Sequence, residues 1–314
     1  MAWTEKKKLI SKISRLYYIS NLTQQEIANK LNLSRTKVSR YLDMARKERI
    51  VEIKINSLHE SYEELEYAVE KKYKIKECAI VPFCESKEET LKEIAKKLSS
   101  IFERILRDGD YLGIGWGTSL KGIADYLDVS RKISIKVIPI IGGLGKVGTG
   151  VHTNSVARAV ADKIGGISYM INAPAVLDSK KAREVIKNEG STREIINMAD
   201  QIDTAMVGMG DISSESTLVK TGNFSAEEFN YLSSLGVVGD VNLIFINEDG
   251  KHIKSKIDDR IIRISAGEIK KIKNKIGVGF GDKKVKVIES ALKGKFINIL
   301  LTDEDTAKSI TRGD

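Results

Sequence analysis

Residues 23–40 read TQQEIANKLNLSRTKVSR. This stretch contains two signals for the start of a helix. Thr23 is followed three residues later by Glu26, which is the spacing of a capping box, and Ser34 is a suitable N-cap for a second helix. The residues at 32–33 interrupt the first helix. The pattern therefore predicts two short helices joined by a turn of three or four residues, which is a helix-turn-helix.

The second of these helices has the side chains expected of a DNA-recognition helix. Its first turns alternate hydroxyl and cationic groups, which can donate hydrogen bonds to phosphates and to guanine edges. Two glutamines at the start of the preceding helix suit contacts with the DNA backbone. The predicted DNA-binding residues are Thr23, Gln24, Gln25, Ser34, Arg35, Thr36, Lys37, Ser39 and Arg40.

The positive charge of the chain is concentrated around this motif. The formal net charge is +9, and residues 1–55 hold 13 Lys or Arg against five Asp or Glu. Lys and Arg contacts with phosphates supply most of the non-specific affinity for DNA, so a basic head on a nearly neutral body favours double-stranded DNA as a partner. The alternatives are a solvated basic terminus and a helix that lies on a membrane surface.

The sequence on either side of the motif sets the domain organisation. An amphipathic helix is predicted over 5–20, and a short alternating strand over 50–55 is a candidate wing. A further amphipathic helix is predicted over 60–74. At 314 residues, two domains are expected. We place them at 1–56, the helix-turn-helix domain, and at 57–314, an effector domain.

The effector domain is predicted to be an α/β domain with a mostly parallel sheet, because buried strands and helices alternate along it. The predicted strands are 79–81, 111–114, 134–141, 169–172, 204–208 and 241–246. The predicted helices between them include 88–106, 156–164 and 192–198.

Several classes of protein are disfavoured by what the sequence lacks. No apolar run approaches the roughly 20 residues of a membrane-spanning helix, and the N-terminus lacks the apolar core of a signal peptide, so a cytoplasmic protein is expected. Cys78 and Cys84 are too few for a disulfide framework and have no histidines near them at the spacing of metal ligands. We therefore predict neither a metal nor a cofactor.

The predicted strand at 111–114 leads into a turn with two glycines, Gly115-Trp116-Gly117, and then into a helix. Backbone amides at such a turn can approach an anion, and the helix N-terminus favours negative charge. The spacing matches neither a nucleotide-binding loop nor a dinucleotide fingerprint. A single phosphate bound by Gly117, Thr118 and Ser119 is the functional interpretation; a glycine required only by the turn is the structural one.

Two other glycine-containing stretches follow predicted strands. The segment 142–150 is either a mobile loop that closes over a ligand or a plain surface loop, and Lys146 within it is either a ligand contact or solvated. The segment 278–284 ends with Lys284, which is placed to reach an anion at the same sheet edge, with Lys283 as the alternative.

These segments together resemble the SorC-type regulators, also called the DeoR-like sugar-binding group. The resemblance covers nearly the whole chain and is carried by residues 23–28, 33–40, 113–120, 172–175, 205–210, 236–240 and 300–304. It implies a body similar to sugar-phosphate isomerases of the glucosamine-phosphate deaminase and ribose-phosphate isomerase type, retained as a sensor. The family is typically tetrameric, so a homo-oligomer is expected.

The resemblance also implies roles for individual residues. Gly117, Thr118 and Ser119 would hold the phosphate with help from Lys284, and the sugar hydroxyls would face Asp240, His152 and Asn154. The sequence departs from the family pattern at Phe280, where the family usually has two adjacent glycines after the strand.

The function we predict is a DNA-binding regulator of a sugar-metabolism operon, controlled by a phosphorylated sugar bound to the effector domain, with no catalytic residues. The alternative is an active sugar-phosphate isomerase or deaminase with an accessory DNA-binding head. Such an enzyme needs a general base near the phosphate loop, for which Asp203, Asp211, Asp240 and His152 are candidates.

Overall fold

The computed structural model describes residues 3–53, 61–144, 152–213, 215–220 and 222–312. The chain divides into two compact units, Met1–Ser61 and Tyr62–Asp314, which we call the head and the body. The head contains three helices, α1 (Trp3–Tyr18), α2 (Gln24–Leu31) and α3 (Arg35–Lys47).

The predicted helix-turn-helix is confirmed, and both of its helices are capped as expected. The Thr23 hydroxyl accepts from the Glu26 amide at 3.3 Å, and the Glu26 carboxylate accepts from the Thr23 amide at 2.7 Å. Asn32 adopts a φ of +54° and ends α2. The Ser34 hydroxyl accepts from the Lys37 amide at 3.2 Å and starts α3. A cap of this kind is worth about 1 kcal/mol.

The apolar faces of the three helices meet in a small core. Its buried members are Ile10, Ile13, Ile27, Ala28, Val38, Tyr41, Leu42 and Ala45. Burying an aliphatic side chain of this size stabilises a fold by about 1.5–3 kcal/mol. This core therefore holds α2 and α3 in a fixed relation to each other.

The wing strand predicted over 50–55 is wrong for its described part. Residues 50–53 form no strand, and the rest of the segment lies outside the described residues. The Ile50 and Val51 amides instead both donate to the Ala45 carbonyl, at 2.8 and 3.1 Å. The alternating sequence here closes the C-terminal end of α3, because the last carbonyls of a helix need donors.

The body is built on a mostly parallel sheet, as predicted. Its strands are β1 (Glu77–Val81), β2 (Tyr111–Ile114), β3 (Lys136–Pro139), β4 (Ile167–Ser168), β5 (Thr204–Asp211), β6 (Val237–Val241), β7 (Ile244–Asn247), β8 (Asn274–Val278) and β9 (Ile299–Asp303). The order β1-β9-β8-β5-β2-β3-β4 is parallel throughout, and β6 and β7 form a hairpin antiparallel to the end of β5.

Helices cover both faces of this sheet, as expected for parallel strands. They are α4 (Glu63–Tyr73), α5 (Lys87–Ile105), α6 (Thr118–Tyr126), α7 (Thr153–Ile164), α8 (Lys180–Asn188), α9 (Gly190–Asn197), α10 (Thr217–Lys220), α11 (Ala226–Ser234), α12 (Ala266–Lys271), α13 (Val285–Lys293) and α14 (Glu304–Arg312). One core packs α5, α6 and α7 on the sheet, and a second packs α4, α12, α13 and α14. The sheet is thus buried on both sides.

Helix α4 protects the exposed edge of the sheet. The Glu70 carboxylate accepts from the Cys78 amide at 2.9 Å, and the Glu66 carboxylate accepts from the Ile80 amide at 2.8 Å. These amides lie on β1, whose only sheet neighbour is β9 among the described strands. Covering unpaired amides removes a template for pairing with another chain.

Two predicted strands differ from those observed. The single strand expected over 241–246 is a hairpin, because Asn242 and Leu243 have φ of +53° and +60° and form its two-residue turn. In place of the strand expected over 169–172, the structure has β4, which begins two residues earlier and is only two residues long. The Asn154 amide group bonds to both the N–H and the carbonyl of Ile171, at 3.1 and 3.0 Å, and takes the place of a neighbouring strand.

Candidate effector and DNA-binding sites

A cavity of about 510 Å³ lies at the carboxyl ends of three adjacent strands in the body. Strand β5 is central, with β2 on one side and β8 on the other. From β2 the chain continues to β3 and β4 on one side, and from β5 it continues to β8 and β9 on the other side. Open α/β sheets bind ligands where the direction of the strand order changes in this way. The loops after β2 and β8 form much of the lining.

The loop after β2 forms an open helix start at one side of the cavity. Gly117 has a φ of +141°, a backbone conformation that suits glycine. No side chain of the described residues caps α6. The first turn of α6 also contains no acidic residue. Thr118 and Ser119 add hydroxyl donors, and all three residues line the cavity. This arrangement can bind an anion through amides, hydroxyls and the helix dipole.

The loop after β8 supplies an ion pair to the same cavity. Lys284 lies 2.6 Å from a carboxylate oxygen of Asp211, and the other oxygen of Asp211 accepts from the Ser213 hydroxyl at 2.6 Å. Although burial opposes it, bonding to Lys284 and Ser213 holds the pKa of Asp211 below its usual value. Lys284 therefore reaches the cavity with its charge already paired.

Asp240 forms part of the buried wall. It is 3% exposed, and its Oδ2 accepts from the Leu243 amide at 2.8 Å. Its Oδ1 is fully buried and has no hydrogen-bond partner among the described residues. Burial raises the pKa of Asp240 to about 6, with a smaller opposing effect from the Leu243 amide. Asp240 thus contributes a buried carboxyl group to the cavity wall.

Apolar side chains complete the lining. Trp116 is 8% exposed and belongs to the core formed by the β6–β7 hairpin and its neighbours. Phe280 lines the cavity from the loop after β8 and packs against the core that includes α5. A site with apolar walls and a few polar groups is typical of small-molecule binding.

Two predicted effector residues do not line this cavity. His152 is the N-cap of α7, and its Nδ1 accepts from the Asn154 amide at 3.3 Å. Asn154 uses its side-chain amide to bond Ile171, as described above. The structure brings together Gly117, Thr118, Ser119, Asp240 and Lys284, and Lys146 lies outside the described residues.

Of the four candidate general bases, two line the cavity and two do not. Asp211 and Asp240 line the cavity. Asp203 precedes β5 and accepts from the Tyr111 amide at 3.2 Å. It therefore lies at the amino end of the strands, the opposite edge of the sheet.

Sequence reasoning missed one cation of the cavity. Lys87 is the first residue of α5, and its Nζ lies 3.4 Å from the Thr118 hydroxyl. Strand β1 precedes Lys87 and is four positions from β2 in the sheet. No local pattern predicts this crossover, so the contact between the two helix starts could not be predicted from the sequence.

In the head, most of the predicted DNA-binding residues are exposed. Arg35, Thr36, Lys37 and Arg40 are exposed, whereas Val38 is buried in the core. A groove joins the start of α2 to the start of α3. It is lined by Tyr17, Tyr18, Asn21, Leu22, Thr23, Gln24, Gln25 and Arg35.

Comparison with known proteins accounts for both units. The family described as "Putative sugar-binding domain" matches residues 59–312, and the family described as "Winged helix-turn-helix DNA-binding" matches residues 20–52. The chain belongs to the SorC-type family of transcriptional regulators. The resemblance predicted from the sequence is therefore confirmed.

Several relatives match this family assignment over their full length. The chain is 29% identical to the sorbitol operon regulator of Klebsiella pneumoniae, over 97% of this chain and 98% of that one. It is 28% identical to the deoxyribonucleoside regulator of Bacillus subtilis, over 98% of each chain. The crystal structure of the full-length Klebsiella pneumoniae sorbitol operon regulator superimposes with a TM-score of 0.75 at 28% identity, covering 98% of this chain and 99% of that one.

The described residues contain neither a candidate membrane span nor a candidate metal cluster. None of the described helices has the length and apolar character needed to cross a membrane. No group of three or more His, Cys, Asp or Glu side chains in the described part of the chain is arranged to hold a metal ion.

Proposed function

We propose that the protein regulates a sugar-metabolism operon and that a phosphorylated sugar, bound in the body cavity, changes the affinity of the head for operator DNA. The observation that carries this proposal is the open start of α6, where Gly117, Thr118 and Ser119 face a cavity that also contains Asp240 and Lys284. The relatives named as sorbitol and deoxyribonucleoside regulators support a sugar-derived signal.

The two ends of the cavity suit the two parts of such a ligand. The phosphate binds the α6 amides and the hydroxyls of Thr118 and Ser119, because charge-assisted hydrogen bonds to a helix start are strong. A sugar hydroxyl bonds to the carboxyl group of Asp240 in the cavity wall. The Lys284–Asp211 pair offers one donor and one acceptor to the remaining polar atoms.

In the head, Arg35 and Arg40 contact DNA from the start of α3, with Thr36, Lys37, Ser39 and Ser34 beside them. Thr23, Gln24 and Gln25 contact the backbone from the start of α2. A homo-oligomer, a tetramer by the family resemblance, presents paired heads to two half-sites. The regulator works in the cytoplasm. An effector acts by binding two states of the protein unequally, typically by about 1–3 kcal/mol.

The proposal is tested in two steps on the full chain. A thermal-shift screen compares sugar phosphates with their unphosphorylated parents, because a ligand of the native state raises its stability by mass action. A gel-shift titration then measures DNA affinity with and without the stabilising compound. A compound that stabilises the wild type but not the Thr118→Ala/Ser119→Ala variant supports the cavity. The absence of any stabilising sugar phosphate would refute it.

DNA binding has its own matched control. Arg35→Ala/Arg40→Ala should weaken operator binding by at least about tenfold and leave ligand binding intact. Lys30→Ala/Lys47→Ala removes the same charge from exposed residues of the head outside the predicted interface. Equal losses in the two variants would show that only overall charge matters and would overturn the recognition-helix assignment.

One observation favours a second function, proton transfer on a sugar phosphate. Asp240 is a buried carboxyl with a pKa raised to about 6 in a cleft, which is a common feature of catalytic acids and bases. Incubating the stabilising sugar phosphate with the protein and following its isomerisation by NMR tests this. Turnover by the wild type that is lost in Asp240→Asn would show that the protein is an enzyme. The absence of turnover would refute this second function and leave the proposed sensor function.

A further inference from the structure

The starts of two helices meet at the phosphate side of the cavity. Helices α5 and α6 both follow parallel strands, β1 and β2, so both begin at the carboxyl edge of the sheet. They pack closely, because a Cβ at Gly122 of α6 would lie 2.7 Å from Leu91 of α5. The Ser86 hydroxyl caps α5 by accepting from the Glu89 amide at 3.1 Å. Lys87 therefore begins a capped helix that is packed against α6, and its Nζ reaches Thr118.

Lys87 is also a cation that is available to a ligand. It has no ion-pair partner within the described part of the chain, whereas Lys284 is paired with Asp211. Lys283 is the other lining lysine without such a pair among the described residues, but no hydrogen bond there joins it to residues 117–119. The Lys87 Nζ, 3.4 Å from the Thr118 hydroxyl, can reach an anion that this hydroxyl binds.

A separate observation indicates that the cavity receives a polar ligand. The buried Oδ1 of Asp240 has no partner among the described residues, although Asp240 is only 3% exposed. A buried acceptor without a partner is destabilising, and in a cleft it is often completed by a bound group or a water molecule.

We propose that Lys87 is a further phosphate-binding residue of this cavity, and that it favours ligands with a phosphate monoester over unphosphorylated sugars. This inference rests on the proposed function. The Lys87 ammonium and the Thr118 hydroxyl donate to the same phosphate from two different helices. The phosphate therefore bridges α5 and α6, and its negative charge is balanced by a lysine that no protein carboxylate in the described region neutralises.

Inorganic phosphate is the probe for this proposal. The melting temperature of the full chain is recorded against phosphate concentration, with ionic strength kept constant by chloride, and gives an apparent dissociation constant. Lys87→Ala should weaken phosphate binding by about threefold to tenfold, the range for a charged hydrogen bond made by an exposed lysine. Lys87→Arg should restore most of this binding because it keeps the charge.

Lys97→Ala is the matched control, because Lys97 is an exposed lysine of the same helix that does not line the cavity. Equal affinities for phosphate in Lys87→Ala and Lys97→Ala, with loss of binding in Thr118→Ala/Ser119→Ala, would overturn the role of Lys87 and leave the proposed function standing. A wild-type chain that phosphate does not stabilise would overturn both.

Discussion

Replacing Asp240 by Asn should make the protein more stable at neutral pH than at acidic pH, relative to the wild type. Burial raises the pKa of Asp240 from its usual 3.8 to about 6. The folded chain therefore holds this proton more tightly than the unfolded chain does. The stability that Asp240 contributes is fully present below about pH 4 and is lost as the pH rises through about 6.

The size of the effect follows from the shift in pKa. One pKa unit corresponds to 1.36 kcal/mol, so a shift of about two units costs the wild type about 3 kcal/mol once Asp240 is ionised. Part of this cost is already present at pH 4.5. Between pH 4.5 and pH 7.5 the free energy of unfolding of Asp240→Asn, measured relative to wild type, should rise by about 2 kcal/mol.

Urea unfolding followed by tryptophan fluorescence measures this difference. The chain has two tryptophans, Trp3 in the head and Trp116 beside the cavity. A Trp3→Phe background therefore makes the signal report the body. Asp200→Asn, on an exposed carboxylate, controls for the loss of a negative charge. A difference between Asp240→Asn and wild type that is the same at both pH values would refute the argument.

Three further substitutions test local parts of the structure. Ser34→Ala removes the cap of α3 and should lower the free energy of unfolding of the head by about 1 kcal/mol, measured by circular dichroism melting. Gly239→Ala would place a Cβ 2.5 Å from the Gly210 carbonyl and should destabilise the body by about 1–3 kcal/mol in urea. Asn154→Ala removes two hydrogen bonds to Ile171 and should cost about 2 kcal/mol in urea unfolding. If Asn154→Ala also abolishes ligand binding, Asn154 contacts the effector after all.

The head could be predicted from sequence because its signals are local. Thr23 and Glu26 are three residues apart, and Ser34 precedes the helix that it caps. Each signal satisfies backbone groups within one turn, so no tertiary information is needed. The prediction of the wing strand was wrong because it depended on contacts that the local sequence does not show. The alternation at 50–53 resembles a strand, but the amides of Ile50 and Val51 are taken by the end of α3.

The sequence between β6 and β7 lacks the residues that usually indicate a two-residue hairpin turn. A two-residue turn with both φ values positive normally uses Asn or Gly at each position. Here Asn242 is followed by Leu243, a residue that rarely adopts a φ of +60°. Leu243 is fully buried, and its amide donates to Asp240. Packing and this hydrogen bond offset the backbone strain, and neither is visible in a single sequence.

The cavity shows the same division between local and distant information. The prediction of an anion site in the loop after β2 uses local information alone, because the glycines, the hydroxyls and the helix start follow one another in the sequence. The pairing of Asp211 with Lys284 joins residues 73 positions apart, and it exists because β5 and β8 are neighbours in the sheet. This pair changes the role expected of Lys284. Because its charge is held by Asp211, Lys284 can assist a phosphate only by sharing or leaving that carboxylate. The proposed binding of a phosphate by Lys87 breaks no ion pair in the described structure.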